Sequence, residues 1–239
     1  DGELSTDLNN VQFSRLLGTA AEAQELKPLL PTATILTGLQ ATENALKQVN
    51  SPSILHIATH GFFLQNVPLV APPSRGGIEV VPINNSPSET KTPTPGSLEN
   101  PLLRSGLVLA GFNLRQSGKE DGVLTALEAA GLDLIGTKLL VLSACQTGLG
   151  DVESGEGVYG LRRAFAIAGV ESQIMSLWYV SDAGTKELMV KYYQRLLQNE
   201  GRSEALRQTQ LEMLQSQTLN HPYYWAAFIP SGDWTPAQF

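Results

Sequence analysis

The sequence is poor in cysteine, in positive charge and in long apolar runs. Its 239 residues include a single cysteine, so no disulfide can form within the chain, and we expect a reducing, cytoplasmic environment. Lysine and arginine number 16 against 23 acidic residues, and this formal charge of −7 argues against a nucleic acid partner. No apolar stretch reaches the roughly 20 residues that cross a bilayer, so we expect no membrane partner either.

The rest of the composition is that of one globular domain. A hydrophobic content of 42% with 16% charged residues gives a chain of this length enough apolar surface for a core of its own. We therefore predict a single domain over residues 1–239. The chain opens with DGELSTDLNN and no methionine, and we expect it to be a fragment of a longer protein.

Strand-like and helix-like segments alternate along the chain. Strands are predicted at 33–37 (ATILT), 53–60 (SILHIATH), 138–144 (KLLVLSA), 172–180 (SQIMSLWYV) and within the closing YWAAFIPSGDW. Helices are predicted at 41–49, 157–168, 183–198 and 203–215, and two more begin at the capping boxes Thr19–Glu22 and Thr125–Glu128. This order predicts an α/β fold, a three-layer sandwich with a mostly parallel central sheet and helices on both faces.

One stretch departs from that alternation. Residues 64–101 are rich in proline, serine, asparagine and threonine, and we predict an inserted flexible loop there. The segment GLVLAGFN at 106–113 follows it and is expected to form one arm of a hairpin.

Cys145 and His60 lie where two central strands are predicted to end. In sheets of this kind the ligand cleft lies beyond the carboxyl ends of the strands. An imidazole beside a thiol can take its proton and make it a nucleophile, so we predict a catalytic pair. The alternative is a thiol buried in the core, since free cysteines are commonly buried. Two other histidines compete: His56 lies mid-strand, where packing is expected, and His221 follows a helix with no strand end to place it beside Cys145.

The neighbours of this pair suit acyl transfer. Gly61 lets backbone approach a substrate carbonyl, and its N–H and that of Cys145 are candidate oxyanion donors. Ser143 is small and leaves room for substrate before the thiol. No spacing of histidines and cysteines suits zinc, and no calcium loop is present, so we expect no metal or cofactor.

A set of ordered motifs resembles the CHAT family, caspase-like domains that often accompany tetratricopeptide repeats. These motifs are HIATHGFF, LTALEAAGLDL, LLVLSACQTGLG, GEGVYGLRRAFAIAGV, SLWYVSDAGT, ALRQTQ and HPYYWAAFIPSGDW. The resemblance spans about residues 18–234 and implies a caspase–haemoglobinase fold with a peptidase dyad at His60 and Cys145. It also implies a tetratricopeptide-repeat region as a partner, in the same chain or another. The first strand of that fold has no evident counterpart before Gly18.

Acidic residues near the predicted site suggest which substrates it takes. SLWYVSD resembles the segment that supplies a basic-residue-binding acid in separase-like members, which favours Asp182 for this role, with Asp151 second. Such acids would bind arginine or lysine before the scissile bond. Asp182 could instead cap the helix that follows, and Trp178 could line the cleft or lie in the core. Glu153 and Glu156 are expected to be solvated.

Three functions are compatible with these residues. The first is a cysteine endopeptidase that cleaves peptide or protein substrates after a basic residue through an acyl-enzyme. The second is a catalytically latent caspase-like scaffold that acts as a protein-interaction module. The third is a small-molecule amidase, which the order of histidine before cysteine disfavours.

Overall fold

Six strands form one mixed sheet in the computed structural model, which describes Leu8 and residues 11–64, 100–147, 156–178 and 180–237. They are β1 (Ile54–Phe63), β2 (Ser105–Val108), β3 (Val123–Thr125), β4 (Leu139–Thr147), β5 (Ser172–Ser176) and β6 (Phe228–Gly232). Their order across the sheet is β3-β2-β1-β4-β5-β6. The central strands β1, β4 and β5 are parallel, whereas β2 and β6 run against their neighbours. Since β3 is antiparallel to β2, it has the same direction as β1, and four of these six strands, β1, β3, β4 and β5, share one direction.

Helices cover both faces of the sheet. They are α1 (Gly18–Leu26), α2 (Glu43–Lys47), α3 (Ala126–Ala129), α4 (Glu156–Ile167), α5 (Asp182–Leu197) and α6 (Arg202–Leu214). None of the helices in the described part of the chain has the length and apolarity needed to cross a membrane.

The core has two layers, one on each face of the sheet, and alternate side chains of β4 belong to different layers. Leu140 and Leu142 pack with α3 and α4 on one face, where Phe165 is fully buried. Leu139 and Val141 pack with α1, α5 and α6 on the other. Successive strand residues point to opposite faces, so a continuous apolar run indicates a strand covered on both sides. The predicted three-layer α/β sandwich is therefore confirmed.

Several local predictions are confirmed as well. Thr125 and Glu128 form the predicted capping box at the start of α3, with each side chain bonded to the backbone N–H of the other. β2 pairs antiparallel with β3, as expected for a hairpin arm. The predicted loop at 64–101 lies outside the described residues, except for its ends at residues 64, 100 and 101.

Three local predictions are wrong, each because a tertiary contact is absent or takes precedence. Residues 33–37 form no strand, since most of this segment is exposed and it pairs with none of the described strands. Glu22 does not close a capping box with Thr19, because its side chain turns inward toward His56. Neither central strand ends where it was predicted to: β1 continues past His60 to Phe63, since β2 pairs with its last four residues, and β4 continues past Cys145 to Thr147, paired with β1.

A partly buried ion cluster joins α2 to α3 and to the loop between β2 and β3. The Lys47 ammonium lies 2.8 Å from Glu43, 2.8 Å from Glu120 and 2.9 Å from Glu128. Glu43 is 1% exposed, and its other carboxylate oxygen accepts a hydrogen bond from the Gly122 N–H. The cluster fixes the loop that begins after β2.

Candidate active site

The two predicted catalytic residues occupy paired positions on neighbouring strands. β1 and β4 are parallel, and His60 is in register with Cys145. Positions in register on adjacent strands lie on the same face of a sheet. The prediction that His60 and Cys145 are close in the fold although 85 positions apart in sequence agrees with this register.

The hydrogen bond of His60 assigns its proton. Its Nε2 lies 2.7 Å from the carbonyl oxygen of Ser14. A carbonyl can only accept, so Nε2 carries the hydrogen and Nδ1 of the neutral ring holds the lone pair. Nδ1 is buried and has no hydrogen-bond partner among the described residues. The ring is therefore prepared to accept a proton at Nδ1.

Residues 11–17, which we call the covering segment, lie against this imidazole. The Phe13 ring packs on the His60 ring at 5.2 Å between centroids and meets Phe112 edge to face at 5.1 Å. The backbone N–H of Phe13 donates to Asn113 Oδ1 at 3.0 Å, and the Asn113 amide donates back to the Phe13 carbonyl at 2.9 Å. The segment that supplies the Ser14 carbonyl is thus tied to the loop after β2.

The other two histidines make structural contacts. His56 Nδ1 lies 3.1 Å from the Tyr193 hydroxyl, and its Nε2 lies 3.2 Å from Glu22, both in the layer beneath α1 and α5. Burial raises the pKa of Tyr193 well above its usual range, so this hydroxyl stays protonated. His221 Nδ1 accepts a hydrogen bond from the backbone N–H of Tyr223 at 3.2 Å and begins a helical turn.

Comparison of the sequence with protein-family models identifies the domain that contains this site. The sequence matches the CHAT domain model over residues 2–233. The chain belongs to the CHAT domain family. It is 27% identical to human tetratricopeptide repeat protein 28 over 212 residues, which are 88% of this chain and 8% of that protein. It is 34% identical to the mouse protein of the same name over 110 residues, 46% of this chain and 4% of that protein. The chain thus spans less than a tenth of the length of these curated relatives.

Asp182 of this CHAT domain lies at a helix–helix contact. It is the first residue of α5 and is exposed, and the N-cap position is held by Ser181, whose side chain makes no capping hydrogen bond. The alternative that Asp182 caps the helix is therefore wrong. Its side chain lies directly over Gly18, the first residue of α1, where a Cβ atom would come within 2.1 Å of the Asp182 Cγ. Gly18 is four residues beyond the carbonyl that binds His60, so Asp182 borders the covering segment.

The remaining predicted site residues are placed unevenly. Trp178 is 38% exposed just after β5, which excludes the alternative of a core indole. Ser143 is buried in β4, two residues before Cys145. Gly61 is buried within β1, in register with Leu107 and Gln146, so its role as an oxyanion donor stays a prediction. Asp151 lies outside the described residues.

The three carboxylates of the ion cluster resemble a metal site, but the Lys47 ammonium lies between them. Carboxylate oxygens of Glu43, Glu120 and Glu128 lie within 4.8 Å of one another, and the Lys47 ammonium contacts all three. Burial raises the pKa of Glu43, which the Lys47 hydrogen bond only partly offsets. Burial acts against the Lys47 charge too, but its three carboxylate partners raise the Lys47 pKa overall. The lysine therefore takes the place that a metal ion would need.

No sequence motif reveals the groups that orient His60. Ser14 contributes a backbone carbonyl, a group that every residue carries and no motif reveals. Asn113 was visible only as the last letter of GLVLAGFN, and its partner Phe13 lies 100 positions away. The one local signal in the sequence is the glycine at Gly111, which favours a turn before Asn113. In the structure Gly111 has a φ of +97°.

Proposed function

We propose that this CHAT domain is a cysteine endopeptidase in which Cys145 is the nucleophile and His60 its base. The observation that carries the proposal is the state of the His60 ring. Its Nε2–H is bound to the Ser14 carbonyl, its buried Nδ1 has no partner in the described structure, and its strand position is in register with Cys145. A general base needs this combination of a fixed tautomer and an available lone pair.

The reaction would proceed through four proton transfers at one nitrogen, two in acylation and two in deacylation. Nδ1 of His60 takes the proton of the Cys145 thiol, and the thiolate attacks the carbonyl carbon of the scissile peptide. When the C–N bond breaks, the imidazolium returns that proton to the leaving amine, and a thioester remains on Cys145. Water then attacks the thioester while His60 takes one of its protons; the C–S bond breaks to release the acid, and the imidazolium returns the proton to the Cys145 thiolate. The Ser14 carbonyl stabilises the imidazolium of each step through Nε2–H.

A basic residue before the scissile bond is the substrate feature that the acids of this region suit. Asp182 is exposed at the start of α5 and borders the covering segment. An arginine side chain can bind a carboxylate through two charge-assisted hydrogen bonds. The net charge of −7 also attracts cationic peptides over distances of about a Debye length. Asp182 is therefore the first candidate for the specificity residue and Asp151 the second.

A panel of fluorogenic peptides with arginine, lysine or aspartate before the cut tests this function. We expect cleavage after arginine and lysine in the wild type and none in Cys145→Ala. Asp182→Asn should lower kcat/KM for the arginine peptide by about tenfold or more, because the ligand charge would be left without its partner. If Asp182→Asn leaves kcat/KM unchanged while Asp151→Asn lowers it strongly, Asp151 is the residue that binds the basic side chain. Cleavage that persists in Cys145→Ala would contradict the proposal.

A latent interaction module is the second candidate function. It is favoured by the Phe13 ring, which packs against the imidazole of His60 at an angle of 42°, and by relatives named as tetratricopeptide repeat proteins. In that case the partner would be a tetratricopeptide-repeat region, and Cys145 would resist an arginine-directed electrophilic peptide. Labelling of the wild type that is lost in Cys145→Ala would decide for the peptidase.

A further inference from the structure

We propose that Asn113 is a positioning residue that sets the tautomer of His60 by holding the covering segment in place. The effect of Asn113 on kcat rests on the proposed function, whereas its effect on the His60 tautomer does not. Asn113 does not touch His60; it acts through Phe13 and Ser14.

The Asn113 amide binds both backbone groups of one residue. Its Oδ1 accepts from the Phe13 N–H at 3.0 Å and its Nδ2 donates to the Phe13 carbonyl at 2.9 Å, as a neighbouring strand would. Two hydrogen bonds from one planar group fix the direction of the backbone as well as its position. The next carbonyl along the chain, that of Ser14, reaches His60 Nε2 at 2.7 Å.

The loop that carries Asn113 is itself firmly held. A Cβ atom at Gly111 would lie 1.8 Å from the Gln116 carbonyl oxygen, so the turn closes on itself. Ser117 donates to the Ala110 carbonyl at 2.5 Å and accepts from the Glu43 N–H at 2.8 Å, which ties the loop to the ion cluster. Asn113 therefore projects from a rigid support, as positioning groups require.

The same loop also binds Leu8, which precedes the covering segment in the chain. Arg115 donates to the Leu8 carbonyl at 2.6 Å, and its guanidinium lies 4.0 Å above the Phe112 ring. Leu8 and Phe112 are buried in one cluster with Val108 and Val123, and Phe13 packs against it. These contacts keep residues near the loop even without Asn113, so the asparagine is left with the finer task of orienting the Phe13–Ser14 backbone.

Loss of this orientation changes the chemistry of the ring rather than its place in the sheet. The His60 backbone stays paired to β2 and β4. Without the Ser14 carbonyl at Nε2, the neutral ring can carry its hydrogen on Nδ1, and a ring protonated there cannot accept the thiol proton. The expected result is a lower kcat, by about ten- to a hundredfold as for residues that orient metal-bound histidines, with KM changed little.

The test compares Asn113→Ala and Asn113→Asp with a matched control, Gln210→Ala. Gln210 also binds backbone with a carboxamide, donating to the Trp225 and Phe228 carbonyls at 3.1 and 2.9 Å, toward the opposite edge of the sheet. The readout is the ¹⁵N spectrum of the imidazoles, with His60 assigned from the resonance lost in His60→Gln. We expect the Nε2–H tautomer in the wild type and in Gln210→Ala, and a mixture of tautomers in Asn113→Ala.

Asn113→Asp keeps the shape and the acceptor for the Phe13 N–H but loses the donor, so an intermediate mixture is expected. This variant also keeps the test open if Asn113→Ala fails to fold. A wild-type tautomer in both variants would overturn the inference, as would equal losses of kcat in an Asn113 variant and Gln210→Ala. If the wild type cleaves no peptide, the peptidase proposal fails, while the tautomer measurement still decides whether Asn113 positions His60.

Discussion

Replacing Lys47 with methionine should destabilise the domain through a single buried carboxylate. The lysine side chain is one quarter exposed and its partners Glu120 and Glu128 reach solvent, but Glu43 is 1% exposed. Without the ammonium, Glu43 keeps the Gly122 N–H as a hydrogen-bond donor and loses its countercharge.

The magnitude follows from how much of the cluster is buried. Breaking a fully buried pair costs about 3–5 kcal/mol, because a charge is left uncompensated. Solvent reaches three of the four groups here, so we expect about 2–3 kcal/mol from Lys47→Met. For a chain of this size that is a fall in Tm of about 4–12 °C. Thermal unfolding followed by circular dichroism measures it directly.

Lys191→Met is the matched control. Its ammonium contacts the exposed Glu187 at 3.6 Å and Glu212 at 3.1 Å, and exposed pairs contribute at most about 1 kcal/mol. Adding Glu43→Gln to Lys47→Met should recover part of the lost stability, since no buried charge then lacks a partner. Equal effects of Lys47→Met and Lys191→Met, or no recovery in the double variant, would refute the reasoning.

The pH dependence of the Lys47 contribution has a definite sign. The pKa of Lys47 is raised on folding, so its stabilisation is complete below its ordinary pKa of about 10.5 and is lost as the pH rises above that value. Burial acts to raise the pKa of Glu128, but hydrogen bonds from Thr125 and Lys47 lower it overall, so its contribution is lost as the pH falls through the carboxylate range. Glu43 has the opposite sign, because burial raises its pKa. The difference between wild type and Lys47→Met should therefore shrink toward pH 4, where a protonated Glu43 needs no countercharge.

Two further predictions concern packing beside the site. Gly18→Ala should cost about 1–3 kcal/mol, because its Cβ would overlap the Asp182 side chain, and Asp182→Gly in the same chain should restore most of the loss in a thermal melt. Tyr193→Phe should cost about 1 kcal/mol by removing the hydroxyl beside His56 Nδ1, measured as the shift of the denaturant midpoint, and an unchanged midpoint would mean that this contact carries no net stability.

The parts of the fold that could be predicted are those written in local patterns. The apolar run of β4 indicated a strand buried on both faces, and Thr125 with Glu128 marked the start of α3 through a bond that spans three residues. The order of strands and helices gave the layer architecture. Where neighbouring residues decide the structure, the sequence was sufficient.

The errors arose where distant residues decide. Glu22 has the spacing of a capping residue, but the partly buried His56 offers it a contact that no local pattern shows. Residues 33–37 have the composition of a strand but pair with no strand in the described part of the chain. The catalytic pair could be proposed from the predicted ends of two strands, although both strands continue two or three residues further. The contacts of the Ser14 carbonyl and of Asn113 could not, because Asn113 binds Phe13 across 100 positions of sequence.

The reactivity of the single thiol tests the peptidase account most directly. Intact-mass kinetics at pH 6.5 would follow labelling by an electrophilic arginine peptide, at a pH where an ordinary thiol with a pKa of about 8.5 is about 1% ionised. Wild type and His221→Gln should take up one label on Cys145 at the same rate, and His60→Gln should be about tenfold slower or more. Labelling of His60→Gln as fast as the wild type, or labelling that needs the protein to unfold first, would contradict the pairing of His60 with Cys145.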